Sequence, residues 1–166
     1  MESNYHLRRQ EKEIRNPEKM KAILAATDYV TIAMCRDNEP YLVTLNHGYD
    51  RERNAIYFHC AAAGKKIDFL AANDRVWGQA LVDYGYAEGR CDHSFACVHF
   101  QGRVSFVADV AEKRHALETM IRQLENEPEK VLAAKVTEAS LAKVKIGRID
   151  VDFLSGKSTE EKVVSP

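Results

Sequence analysis

Between Val30 and Cys60 apolar residues recur with a period of two, and short polar turns interrupt the alternation twice. No other feature of the chain constrains its fold as much. Val30, Ile32 and Met34 alternate with Thr31, Ala33 and Cys35, which predicts a strand. Asp37-Asn38-Glu39-Pro40 is a turn cluster, Tyr41–Tyr49 a second strand, Asp50–Asn54 a charged turn and Ala55–Cys60 a third strand. Turns this short join antiparallel neighbours, because parallel pairs need long crossovers.

Three further strands follow. Arg75–Tyr84 is strand-like, residues 85–93 read as a glycine-containing loop, and a long strand places Ala96, Val98, Phe100, Val104 and Phe106 on one parity. The last strand runs from about Ala142 to Phe153. Its apolar parity changes from Val144 and Ile146 to Ile149, Val151 and Phe153, which predicts a bulge at Gly147. Helical signals lie between the strands. Asn16-Pro17 opens a helix that runs to about Ala26, and Gly64–Asn73 carries Ile67, Leu70 and Ala71 on one face. After Asp109, Ala116, Leu117, Met120, Ile121 and Leu124 recur at helical spacing, Glu118 stands four residues before Arg122, and Pro128 ends that helix or starts another turn. The expected class is therefore mainly β with helices (α+β), with six antiparallel strands that remove their exposed edges by closing into a barrel. Residues 1–15 are expected to form a charged arm, 16–155 the domain, and 156–166 a solvated tail.

Composition narrows the function classes. Lys plus Arg number 24 and Asp plus Glu 25, a formal net charge of −1, without the basic excess of a duplex nucleic-acid binder. No stretch has the length of a transmembrane helix, and the first residues lack the apolar core of a secretory signal. The four cysteines, Cys35, Cys60, Cys91 and Cys97, form no CxxC pair, so reduced thiols and a cytoplasmic location are the expectation.

Three segments hold chemistry-bearing residues. In Ile56-Tyr-Phe-His-Cys-Ala-Ala-Ala-Gly-Lys-Lys-Ile-Asp68 a strand ends, small residues follow, and a helix begins with Gly64, Lys65 and Lys66. Free N–H groups and lysines at a helix start suit a phosphate; the plain alternative is a solvated lysine pair. It is not a P-loop, since His59 occupies the first glycine position and Lys66 the Ser/Thr position. On the second strand, Thr44 and Asn46 share a face and can hydrogen-bond a ring edge, or they simply form its solvated side. The third segment, Cys91-Asp-His-Ser-Phe-Ala-Cys-Val-His99, suggests zinc by composition. In a strand, however, Cys91 and His99 stand roughly 25 Å apart, too far to share one ion, so no metal site is expected. His93 and His99 are each of the residue type that ligates haem.

The ordered segments resemble the pyridoxamine 5′-phosphate oxidase-like split-barrel proteins, and among them the nitroimidazole-resistance (Nim-type) branch. The carriers are Pro40-Tyr-Leu-Val-Thr-Leu-Asn-His-Gly-Tyr49, the segment Ile56–Asp68, Val98-His-Phe-Gln-Gly-Arg-Val104 and the charged start Arg8-Arg-Gln-Glu-Lys-Glu-Ile14. The resemblance spans roughly residues 7–155. It implies a six-stranded split β-barrel, a homodimer, and FMN in a groove between subunits. It places phosphate contacts on Cys60, Gly64, Lys65 and Lys66, isoalloxazine contacts on Val43, Thr44, Leu45 and Asn46, and further cofactor contacts at His59 and Cys97. Members often carry Arg-Ser where this chain has Ala96-Cys97, and serine where it has Cys60; a thiol donates a weaker hydrogen bond than a hydroxyl. The function implied is a flavin-dependent reductase or oxidase of a small-molecule substrate, with His47 and His59 as candidate proton carriers. A non-catalytic flavin-binding module and a haem-binding split barrel are the alternatives, and neither nucleic acid nor membrane is an expected partner.

Overall fold

The computed structural model describes residues 8–159. A 3-10 turn at Gln10–Lys12 leads into β1 (Glu13–Ile14), α1 (Pro17–Ala26), β2 (Tyr29–Arg36), β3 (Glu39–Asn46), β4 (Gly48–Asp50) and β5 (Ala55–Cys60). There follow α2 (Lys65–Ala72), β6 (Arg75–Ala87), β7 (Asp92–Phe106), α3 (Val110–Leu124), α4 (Pro128–Lys135), α5 (Glu138–Lys143) and β8 (Lys145–Ser158). Asn16 caps α1 by accepting from the Glu18 N–H at 2.9 Å, with Pro17 in the first turn. Asp37 and Asn38, at φ 51° and 64°, form the two-residue β2–β3 hairpin, a conformation these two residue types tolerate better than most.

All described ladders are antiparallel, in the order β3-β2-β6-β7-β8-β5-β4, with β1 added to β8. Only His47 separates β3 from β4, so the two ends of the sheet are successive stretches of one chain. That link closes the barrel, while β3 and β5 stay unpaired and leave a split between them. Val30, Ile32, Met34, Ile56, Phe58, Val98, Phe100 and Ile149 fill the interior, and Met20, Ile23 and Leu24 of α1 pack onto it. A second cluster, Ala55, Tyr57, Ala116, Met120 and Ile146, lies between the sheet and α3.

The strands number eight rather than six. The expected second strand, Tyr41–Tyr49, breaks at His47 because it leaves β2 and takes β5 as its partner. Glu13 and Ile14, expected in a free arm, pair with Lys157 and Gly156. That pairing also places residues 156–158, expected in the tail, inside β8; the remainder of the expected tail from 160, and residues 1–7 of the arm, lie outside the described residues. The expected loop at 85–93 is instead a hairpin that extends β6 and β7, with a register shift between Asp83 and Gly85 that masks the alternation. Arg122 reaches Glu129 on α4, not Glu118.

The expected bulge at Gly147 is also absent. β5 pairs straight through it, Phe58 against Gly147. The parity changes because β8 faces two cores: Ile146 points to α3, Ile149 and Val151 into the barrel. The irregularity lies further on, where Gln101 pairs with Phe153 and Gly102 with Val151, leaving Asp152 over. This flips Phe153 to the outer face, where it meets Trp77 edge-on at 5.9 Å.

Candidate functional site

The split sets the site. β3 has ladder partners on the β2 side only among the described residues, and β5 passes close to its other edge. Backbone N–H and C=O groups along that edge of β3 are therefore available to a ligand. The edge includes Val43, Thr44, Leu45 and Asn46. Val43 and Leu45 pack against the barrel core, while Thr44 and Asn46 face outward. The Thr44 hydroxyl lies 3.0 Å from that of Thr31, and the Asn46 amide donates to the Asp28 carbonyl at 3.1 Å.

Across the split, β5 ends at His59 and Cys60, and the exposed run Ala61–Gly64 leads into α2. Gly64 has φ 130°, a backbone conformation that L side chains rarely adopt, and open space surrounds its missing Cβ. His59 is exposed, while Cys60 is half-buried, its thiol pushed up by burial against the opposing pull of Lys66 and Lys145. The two adjacent lysines have separate fates. Lys65 binds Glu39 at 2.8 Å and lies over the rings of Tyr41 and Phe69, fastening α2 to the β2–β3 hairpin. Lys66 sits over the Phe58 ring at 5.3 Å and makes no ion pair among the described residues. Lys145, which sequence reasoning did not single out, is the ladder partner of Cys60. The residues expected at a phosphate and at a ring thus flank one open split rather than line a closed cavity.

His47, a candidate proton carrier, is fully buried. Its Nε2 lies 2.9 Å from the Leu24 carbonyl, an acceptor only, so Nε2 carries the proton and donates. Nδ1 is buried without a partner. Gln123 spans the same junction, donating to the Thr27 carbonyl at 2.8 Å and accepting from the Tyr49 N–H at 2.8 Å. His47 therefore joins α1 to the barrel, out of reach of a surface-bound substrate. Burial lowers its pKa, and the backbone of Leu24 and Asp28 together with the Asp28 charge only partly oppose this. The unfolded chain takes up the proton first, near pH 6.5. The contribution of His47 is thus complete above that value and is lost as the pH falls below it; His99, also lowered by burial, acts in the same direction. Urea midpoints should fall between pH 7.5 and pH 5.5, and His47→Gln should reduce the fall. An undiminished fall in the variant would remove His47 as its source.

The 91–99 segment lies apart from the split. Cys91 is in the hairpin turn, His93 bonds Asp83 at 2.6 Å, and the Cys97 sulfur lies 3.7 Å from His99 Nε2 and 3.2 Å from Gln79 Nε2. No group of three or more His, Cys, Asp or Glu gathers into a metal site among the described residues. His93 and His99 stand six strand residues apart, roughly 20 Å, so they cannot ligate one iron together. Gln79, Leu81, Phe95, Cys97, His99 and Lys157 line a shallow cavity of about 330 Å³ on the outer face of the sheet. No described helix is long and apolar enough to cross a membrane.

The family described as pyridoxamine 5′-phosphate oxidase matches residues 16–158, which span β2 to β8 and α1 to α5. The chain belongs to that family. A curated relative, the uncharacterized protein RA0666 of Rhizobium meliloti, is 30% identical over 64 residues, which cover 38% of this chain and 40% of that protein. Among solved structures, a candidate 5-nitroimidazole antibiotic resistance protein from Bacteroides thetaiotaomicron superposes with a TM-score of 0.71 at 24% identity, covering 87% of this chain and 85% of the other. The flavocytochrome Anf3 of Azotobacter vinelandii gives 0.80 at 16% identity over 100% of this chain and 78% of that one. A FAD and haem binding protein from Mycobacterium smegmatis gives 0.73 at 16% identity, covering 90% and 74%. At these identities the structures establish a shared split-barrel fold.

Proposed function

We propose that this protein binds a flavin, with FMN as the first choice, in the split between β3 and β5, and uses it to reduce or oxidise a small molecule in the manner of the Nim-type branch. The observation that carries this reading is the pairing of an open strand edge at Val43–Asn46 with an uncompensated cation, Lys66, across the split. A flavin needs both: hydrogen-bonding groups for its ring edge and positive charge for its phosphate. The bound flavin would supply the electron transfer, while the protein positions it and sets the charge around it. Among the described residues no buried acid or base faces the split, so His59, exposed at its rim, is the remaining candidate proton carrier. An absorption spectrum of the purified protein, followed by titration with FMN and riboflavin, tests the reading. Two visible flavin bands and tighter binding of FMN are expected. A Soret band without flavin would favour the haem reading suggested by the names of the two haem-associated neighbours, and binding of neither would leave a barrel without a cofactor.

A split that is open on one side needs a second wall, and the outer face of the sheet offers a place for a second copy of the chain. Leu42, Ala33, Trp77, Gln101 and Phe153 form one row across five strands. Leu42, Trp77 and Leu81 are 63%, 49% and 44% exposed, an apolar face on a sheet whose other side is core. A homodimer through this face is expected in sedimentation at micromolar concentration. Trp77→Glu with Leu81→Glu should shift it to monomer; a monomeric wild type would rule out this wall.

A further inference from the structure

We infer that Lys145, not Lys65, is the second cation of the flavin-phosphate seat, acting with Lys66 across the β5–β8 ladder. The inference rests on the proposed flavin site. Lys145 stands opposite Cys60 in the ladder, and its ammonium lies 3.5 Å from the Ala62 carbonyl and 4.3 Å above the Phe106 ring. That ammonium has three donors, and one carbonyl contact leaves two for an anion. Lys66, at the start of α2, holds its ammonium over the ring of Phe58, two residues before Cys60 on β5, and both lysines pull the Cys60 thiol down against its burial. Neither makes an ion pair with a carboxylate among the described residues, whereas Lys65 is held by Glu39. Two uncompensated ammonium groups therefore converge on Cys60–Ala62, where the exposed backbone bends towards Gly64 and no side chain on Gly64 obstructs an approaching ligand. An ion-paired lysine offers an anion little, because it must first give up its partner. A phosphate ester carries close to two negative charges near neutral pH, which matches this pair.

The test titrates FMN, FAD and riboflavin into the full-length wild type, Lys145→Met and Lys65→Met, with thermal unfolding as a check on each variant. Methionine keeps the stem over Phe106 and removes the charge. Lys145→Met should weaken FMN binding by about tenfold or more, the usual range for one charge-assisted hydrogen bond, and leave riboflavin unchanged. Lys65→Met should leave the FMN-to-riboflavin ratio as it is in the wild type, and Lys145→Arg should retain most of that ratio. A loss shared by FMN and FAD assigns Lys145 to the phosphate next to the ribityl chain and supports its role, whereas a loss with FAD alone places it at the outer phosphate and overturns it as part of the FMN seat. An unchanged ratio in Lys145→Met, or equal weakening of riboflavin, overturns it. A wild type that binds FMN and riboflavin equally overturns the phosphate seat as a whole, and one that binds no flavin overturns the underlying flavin reading.

Discussion

Phe58→Ala should cost about 3–5 kcal/mol of folding stability, the usual range for deleting a fully buried aromatic ring. Against a total of about 5–15 kcal/mol for a domain, this is the largest effect expected of any single side chain near the split. Phe58 is wholly inside the barrel, its ring lies against Gly147, and the Lys66 ammonium sits over it. A Cβ on Gly147 would meet the ring at 2.2 Å, so the ring or the strand would have to shift. Gly147→Ala alone should therefore destabilise by about 1–3 kcal/mol through overpacking. In the Phe58→Ala background the same change should be neutral or favourable, because the added methyl enters vacated space. Urea denaturation of the four proteins in this cycle measures the coupling directly. Additive losses would mean that the ring does not occupy the space above Gly147.

Gly147 also shows where the sequence is readable and where it is not. Strand periodicity exposes a residue's parity, so β2 and β7 can be placed from the alternation of Val30, Ile32 and Met34 and of Ala96, Val98 and Phe100. Parity does not say how many cores a strand serves. Ile146 and Ile149 are both fully buried on opposite faces, which from sequence alone looks like a bulge. The break at His47 is hidden for a related reason: Tyr41–Tyr49 keeps its strand character while it exchanges β2 for β5. At the split, the proposed phosphate seat is suggested by Gly64-Lys65-Lys66 because these residues are consecutive in the sequence. The inequality of the two lysines is not, since it depends on Glu39, a residue of the preceding hairpin. Lys145 was invisible, because only the β5–β8 register brings it to Cys60.

The second large effect concerns Lys66. Its ammonium has an aromatic ring beneath it and no carboxylate beside it among the described residues, so a phosphate arriving at the split meets a charge that needs no partner exchange. A hydrogen bond assisted by that charge is worth about 1.5–3 kcal/mol, and each 1.4 kcal/mol is a factor of ten. Lys66→Ala should weaken FMN binding by roughly ten- to a hundredfold. Riboflavin has the same ring and chain without the phosphate, so its affinity should hold in the variant. The FMN preference of the wild type should also shrink as salt is added, because part of it is attraction between charges at a solvent-facing edge. Lys66→Arg should keep the preference, and Phe58→Leu, which removes the ring beneath the ammonium, should reduce it less than Lys66→Ala does. Equal binding of the two flavins by the wild type, or equal losses of both in Lys66→Ala, would move the phosphate away from the β5–α2 junction and leave only the β3 edge as a candidate ligand contact.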